Sequence, residues 1–333
     1  MAAIEAFAFD THYFFLTFLV TCAVQYTCFA IAYGLQFDKI TDLSGASNFV
    51  INIIIPLILA NTYFERQVLV TVFIVVTRLY LAGFLFYRVL QRKSDTRFDT
   101  FRSNFLYYFG FWTGQILWCW GSTLNGIFVV SEKENPSLGP TDFIGIVLFA
   151  LGFICQVVSD VQKYIFRANP ANRGIPCTTG LWAYSRHPNY FGEMVIWWAI
   201  FLMSARAIHE STDTWGWATV VSPIWTMILL LFLSGIPYAE GANLKRYFEN
   251  PTSRPMIEAY QRDVSPVIPM PQVVYRNLPM IVKQVFLFEF PMYEYHYVPP
   301  DSTAAQAAAA NGGAGNPIEL SNTSAEREAL IQA

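Results

Sequence analysis

Long apolar stretches alternate with short polar ones over most of this chain. A membrane-spanning helix needs about 20 mostly apolar residues. Seven stretches approach that length: 13–34, 49–64, 68–90, 105–130, 143–166, 190–205 and 215–236. The second and sixth are short. The second also contains Pro56, which removes a backbone donor and kinks a helix. The pattern predicts an all-α, polytopic membrane protein with about seven transmembrane helices, within a range of six to nine. Gly110 and Gly114 in "GFWTG" form a small-xxx-small pattern that predicts a close helix–helix approach.

The polar connections alternate in charge. "RVLQRKSDTRFDTFR" after the third span is basic, and "SEKENPSLGPTD" after the fourth is mostly acidic. The stretch from Lys163 to Arg186 is basic, "HESTDTW" is acidic, and "NLKRYFENPTSRP" is basic. The positive-inside rule then puts the basic connections and the C-terminus in the cytosol and the N-terminus on the far side.

Composition sharpens this reading. Of 333 residues, 54% are hydrophobic, 17% are aromatic and only 14% are charged. Soluble domains carry roughly 25% charged residues, so the deficit points to a lipid-facing surface. A formal charge of −3 is too small to imply a nucleic-acid partner. Cys22, Cys28, Cys119, Cys155 and Cys177 show no metal-ligand spacing and read as small apolar side chains. The acidic N-terminus "MAAIEAFAFD" lacks the basic region of a cleaved signal peptide. The organisation expected is a transmembrane domain over 1–272, an interfacial Pro- and aromatic-rich segment over 273–300, and a disordered Ala/Gly/Ser tail over 301–333. Asn322 in that tail matches a glycosylation acceptor that a cytosolic tail leaves unused.

Two groups of polar residues lie where a membrane makes them costly. Gln156, Asp160, Lys163 and Arg167 fall on one helical face, and Asp160 and Lys163 can pair at i, i+3. Snorkelling accounts for Lys163 and Arg167 but not for the deeper Gln156 and Asp160. The second group is in "GLWAYSRHPNYFGEMVIWW". Pro188 discourages helix at His187 and suits the first turn of a helix, so a helix is predicted to begin at Pro188 or Asn189. Asn189 and Glu193 then share a face. The helix N-terminus, with Arg173, Arg186 and His187 close in sequence, is a natural seat for phosphate. Interfacial anchoring by Trp182, Tyr184, Tyr190, Trp197 and Trp198 is the alternative, and it leaves Glu193 unexplained. A looser set follows the last span: Glu240, Lys245, Arg246, Arg254, Tyr260 and Arg262. His12, His209 and His296 lie in different regions, and no metal-binding, P-loop, Rossmann or G-x-S-x-G pattern occurs, so no metal site is predicted.

The run "TTGLWAYSRHPNYFGEMVIWW" resembles the signature of the steroid 5-alpha-reductase and sterol-reductase superfamily. Within it, the strongest likeness is to multi-pass proteins carrying domain-of-unknown-function 1295. "FDKITDLSGASNFV", "DTRFDTFRSNF", "SDVQKYIFR" and "SGIPYAEGANLKRY" look like further blocks of that group, and the likeness reaches to about residue 270. The resemblance implies NADPH held at the cytosolic ends of transmembrane helices. It also implies a lipid-like substrate entering from the bilayer, and hydride transfer to a carbon–carbon double bond. Carried over, it makes Glu193 and Tyr190 the catalytic pair. Gln156, Asp160, Lys163, Arg167, Arg173, Tyr184, Arg186, His187, Asn189, Arg254 and Tyr260 become the cofactor-binding set. The endoplasmic reticulum is the compartment implied. Two alternatives stand beside this reading. Membrane methyltransferases of the isoprenylcysteine and phospholipid type share an "RHPxYxG" core and use S-adenosylmethionine, but their pattern usually lacks the acid of "NYFGE". A non-catalytic lipid-binding member of the same fold is the other.

Overall fold

A computed structural model describes residues 10–36, 40–92, 104–295 and 297. Its described residues form helices and turns without a strand. The helices are α1 (Phe14–Leu35), α2 (Ile40–Ala60), α3 (Glu65–Arg92), α4 (Phe105–Ser131), α5 (Pro140–Ala168) and α6 (Pro188–Glu210). They continue as α7 (Val221–Ile228), α8 (Ile236–Glu249), α9 (Arg254–Asp263), α10 (Gln272–Asn277) and α11 (Met280–Leu287). A wider turn over Leu229–Leu233 links α7 to α8. Six segments among the described residues are long and apolar enough to cross a membrane. A further helix, α4, has 27 residues and no charged side chain, but its Trp, Tyr, Gln and Asn content makes it less apolar than those six. The chain is thus an all-helical, polytopic membrane protein. The basic 93–103 stretch, the 301–333 tail with Asn322, and His296 lie outside the described residues.

The chain divides into two compact units, Met1–Ile154 with Gly192–Leu229, and Cys155–Phe191 with Leu230–Ala333. In the first unit, α2 packs on α1, α3 and α4. Phe49, Ile53, Val70, Ile74, Ile127, Phe128, Ile196 and Met203 make a continuous buried core. Polar side chains run through this apolar interior. The Thr21 hydroxyl donates to Asn52 at 3.0 Å, Asn48 donates to Thr21 at 3.0 Å, and Gln25 donates to Asn48 at 3.0 Å. That network explains why α2 begins at residue 40 and not near 49. Its first two turns, with Ser44, Gly45 and Asn48, are too polar for a hydropathy window but face protein. Arg66 and Asp142 form a fully buried two-pronged ion pair at 2.7 and 2.8 Å.

The predicted close approach at Gly110 and Gly114 is not found, since a Cβ added at either would meet nothing within 4 Å. The close crossing is elsewhere. A Cβ at Gly152 on α5 would lie 2.9 Å from the Gly192 carbonyl oxygen on α6. One at Gly145 would lie 2.9 Å from the Ala199 carbonyl oxygen. The spacing pattern marks small residues, but only packing selects which of them touch another helix.

In the second unit, Leu244, Tyr247, Phe248 and Ile257 form the core, with Tyr260 and Tyr295 against it. The stretch expected as a separate interfacial segment forms α10 and α11. It exposes Val273, Ile281 and Phe286 but buries Tyr275, Leu287 and Tyr293. The Tyr293 hydroxyl donates to the Leu231 carbonyl at 2.6 Å.

Candidate functional site

The second unit gathers most of the predicted site residues. Helix α6 starts at Pro188, and the amides of Tyr190 and Phe191 donate to the His187 carbonyl, as the Pro188 rule anticipates. Before it, residues 184–186 are pinned to the 265–270 strap by backbone bonds, Arg186 N–H to Ser265 at 2.8 Å and Met270 N–H to Tyr184 at 3.1 Å. The Ser185 hydroxyl adds a bond to the Val267 carbonyl at 2.7 Å. Tyr260, half-buried, donates from its hydroxyl to the Trp182 carbonyl at 2.7 Å. Burial raises the Tyr260 phenol well above its ordinary range, which keeps it protonated and a donor.

Arg186 and His187 are built into this unit. Arg186 is 4% exposed. It donates to Glu289 at 2.6 Å and its Nε lies 3.5 Å from Glu240. Burial opposes its charge, but Glu240 and Glu289 outweigh that and raise its pKa. The His187 Nε2 meets Glu240 at 2.7 Å, and its ring stacks on Tyr190 with centroids 5.2 Å apart. Burial lowers the His187 pKa, offset in part by Glu240. Tyr275 donates its hydroxyl to the other oxygen of Glu289. The expectation that Arg186 and His187 seat a phosphate is corrected here. Two carboxylates, Glu240 and the Glu289 that follows α11, already meet that charge.

Other predicted residues lie elsewhere in the same unit. The Asn189 amide donates to Asp160 at 3.1 Å, and this fixes its orientation. Its Oδ1 is then a buried acceptor without a hydrogen-bond partner among the described residues. Two turns along the same face of α5, Arg167 donates to the Tyr247 hydroxyl at 2.8 Å. Arg246 on α8 donates to that hydroxyl at 3.3 Å. Two guanidinium groups thus converge on one neutral oxygen, and the Arg167 Nε is buried without a hydrogen-bond partner. Lys163 places its ammonium 4.2 Å from the centre of the Trp182 ring. Gln156 is buried. Arg254 donates to the Phe248 carbonyl at 2.6 Å and lies over the Tyr297 ring at 3.8 Å. Arg173 and Tyr184 are exposed. A cleft of about 450 Å³ on this unit is lined by Gln162, Phe166, Asn169, Asn172, Thr179 and Gly180, and by none of the predicted site residues.

Glu193 belongs to the first unit. Both its oxygens accept from the Nη2 of Arg78, at 2.7 and 2.9 Å, and Trp197 donates to it at 2.8 Å. Arg78 is 1% exposed and lies 4.9 Å from the Phe49 ring centre and 5.5 Å from that of Trp197. The expectation that Glu193 reaches towards a reacting group is therefore corrected. Its carboxylate is the counter-charge of a buried arginine and faces that side chain. Sequence reading missed Arg78, although it is one of few charges in its apolar span. An intramembrane ionisable residue is a signal by itself. Glu289 and Tyr247 carried no comparable signal.

Fold and site together define a polytopic, all-helical membrane protein with a buried polar centre at the start of α6. A family model described as Protein of unknown function (DUF1295) matches residues 28–264, which is most of the chain. The chain belongs to that family. It is 41% identical to a probable O-methyltransferase, ustE, of Ustilaginoidea virens, over 46 residues covering 14% of this chain and 16% of that protein. It is 24% identical to uncharacterized protein C594.04c of Schizosaccharomyces pombe over 151 residues, 40% of each chain. The matched stretches thus span less than half the length of these relatives. No solved structure matches the chain significantly.

Proposed function

We propose that this protein is an NADPH-dependent reductase of the steroid 5-alpha-reductase superfamily, acting on a double bond of a lipid-like substrate in the endoplasmic reticulum membrane. The observation that carries the reading is the convergence of Arg167 and Arg246 on Tyr247. Arg167, whose Nε is buried without a hydrogen-bond partner among the described residues, suits a phosphate, to which guanidinium groups make charge-assisted, forked hydrogen bonds. Asn189 and Asp160 lie about 10 Å along α5 from Arg167, given a rise of about 1.5 Å per residue. The unmet Asn189 oxygen suits an amide or hydroxyl donor of the same cofactor. When bound, NADPH supplies the hydride. The protein's part is to hold the phosphate at Arg167 and Arg246, to orient the far end at Asn189, and to polarise the substrate through Tyr190. Arg186 and His187 support the start of α6 and do not contact the cofactor.

A second reading is favoured by one observation, the similarity to a relative named as a probable O-methyltransferase. S-adenosylmethionine carries no phosphate, so phosphate dependence separates the two. Titration of the full chain in detergent tests this with NADPH, NADH and S-adenosylmethionine. The expected result is saturable NADPH binding about tenfold or more tighter than NADH, a preference that Arg167→Ala abolishes. Binding of S-adenosylmethionine without NADPH moves the protein to the methyltransferases. Binding of neither leaves a non-catalytic lipid-binding protein.

A further inference from the structure

One end of the first unit holds a cluster that the proposed reaction does not use. His12 precedes α1, Glu132 follows α4, and Asp213 follows α6. His12 and Glu132 are buried. The His12 Nε2 lies 2.8 Å from Asp213 Oδ2 and 3.6 Å from Glu132 Oε1. Among the described residues, these three are the group whose ligand atoms all fall within 4.8 Å of one another.

The other nitrogen of His12 sets how Nε2 is used. Nδ1 lies 2.9 Å from the Ser131 hydroxyl oxygen. That hydroxyl also reaches the Phe128 carbonyl at 2.9 Å. When it donates there, it accepts from Nδ1, which then carries the hydrogen and leaves the Nε2 lone pair for a ligand. Stacking on Phe128 at 4.8 Å and an edge contact with Trp215 at 5.0 Å hold the ring in place. In that tautomer a neutral His12 aims its Nε2 lone pair at two carboxylates, an arrangement that a cation between them stabilises; in the other, Nε2–H donates to Asp213 at 2.8 Å. A protonated ring supplies one positive charge against two negative ones. A divalent ion supplies two, and leaves the imidazole neutral with its N–H bonded to a second-shell oxygen, the arrangement that metal-bound histidine adopts.

We propose that His12, Glu132 and Asp213 bind a divalent transition-metal ion of the zinc class, with Ser131 orienting the histidine. One nitrogen and two oxygens suit such an ion better than calcium, which takes six to eight oxygen ligands. Bond lengths of about 2.0–2.2 Å place tetrahedral ligand atoms roughly 3.3 Å apart. The Nε2–Oδ2 separation of 2.8 Å must open by a few tenths of an ångström. The Nε2–Oε1 separation of 3.6 Å must close by a similar amount. The Asp213 side chain is 43% exposed, which leaves an open fourth position and a route for exchange. His12 and Asp213 are 201 residues apart, so no linear spacing reveals the set.

The test uses the full chain without a polyhistidine tag, stripped with chelator and titrated with Zn²⁺ and separately with Ca²⁺. Bound metal is counted by mass spectrometry. The expected result is one Zn²⁺ per chain in preference to Ca²⁺. His12→Gln and Asp213→Asn should each weaken binding by at least about tenfold, Ser131→Ala by about tenfold, and His209→Gln not at all. Substoichiometric Zn²⁺, or full binding that survives His12→Gln, overturns the proposal. If the variants lose their helical circular dichroism, X-ray absorption on the zinc-loaded natural chain decides. A nitrogen–oxygen shell near about 2.0–2.2 Å supports the site, and a sulfur shell near about 2.3 Å assigns the metal to the free cysteines and overturns it.

Discussion

Burying Arg186 without a counter-charge would cost several kcal/mol. Glu240 and Glu289 meet that charge, whereas Arg167 meets a phenol. The two arginines differ in partners, not in residue type. His187 gives a testable consequence. Burial holds its pKa below the ordinary 6.5. The unfolded chain therefore binds more protons at this position than the folded one, so stability rises with pH through the window from the depressed value up to about 6.5. Thermal unfolding in detergent should show the midpoint falling from about pH 7 to pH 5, and His187→Gln should flatten that slope. Asp263 titrates in a separate window. Hydrogen bonds from Arg262 and Arg276 lower its carboxyl, so its contribution is lost only well below the ordinary 3.8. Sequence reading singled out Asp160, Asn189 and Arg167 because polar groups at such positions demand a reason, and the structure places them in one unit. It placed Glu193 wrongly because helix periodicity gives a face but not the partner on the next helix.

At the scale of elements, the helices were legible from apolar run length, and the polar start of α2 was not. Hydropathy scores each residue as if it faced lipid, while Asn48 and Asn52 face Thr21 and Gln25. Glycine makes the same point energetically. Ala exceeds Gly by about 1 kcal/mol in helix propensity, and overpacking costs about 1–3 kcal/mol. At Gly152 the added methyl would meet the backbone oxygen of Gly192 at 2.9 Å, which no rotamer change relieves. Gly152→Ala should therefore lower stability by about 1 kcal/mol net. Gly110→Ala and Gly114→Ala, with open space around them, should be neutral or stabilising by up to about 1 kcal/mol. Unfolding midpoints of the three variants in one detergent give the comparison.

At the scale of the molecule, the second unit is assembled from two separated stretches, Cys155–Phe191 and Leu230–Ala333. The family match stops at residue 264, yet Glu289 holds Arg186 and Tyr293 is buried. A chain ending at residue 270 should unfold at a lower temperature than the full chain. Glu289→Gln should reproduce part of that loss, towards the low end of the roughly 3–5 kcal/mol for a broken buried pair, because Glu240 remains. Equal midpoints for the shortened and full chains would make 271–333 an appendage.

The sequence by itself determined that the chain is helical and membrane-spanning, where its spans lie apart from the polar start of α2, and that α6 starts at Pro188. These follow from local facts: the length of apolar runs, the cost of backbone groups in lipid, and the fixed geometry of proline. Only the tertiary structure decided which charges neutralise one another. Arg78 with Glu193, Arg186 with Glu240 and Glu289, and His12 with Glu132 and Asp213 are all distant in sequence. In a low-dielectric interior a charge is tolerated only beside its partner, and that partner is chosen by packing, which no linear spacing records.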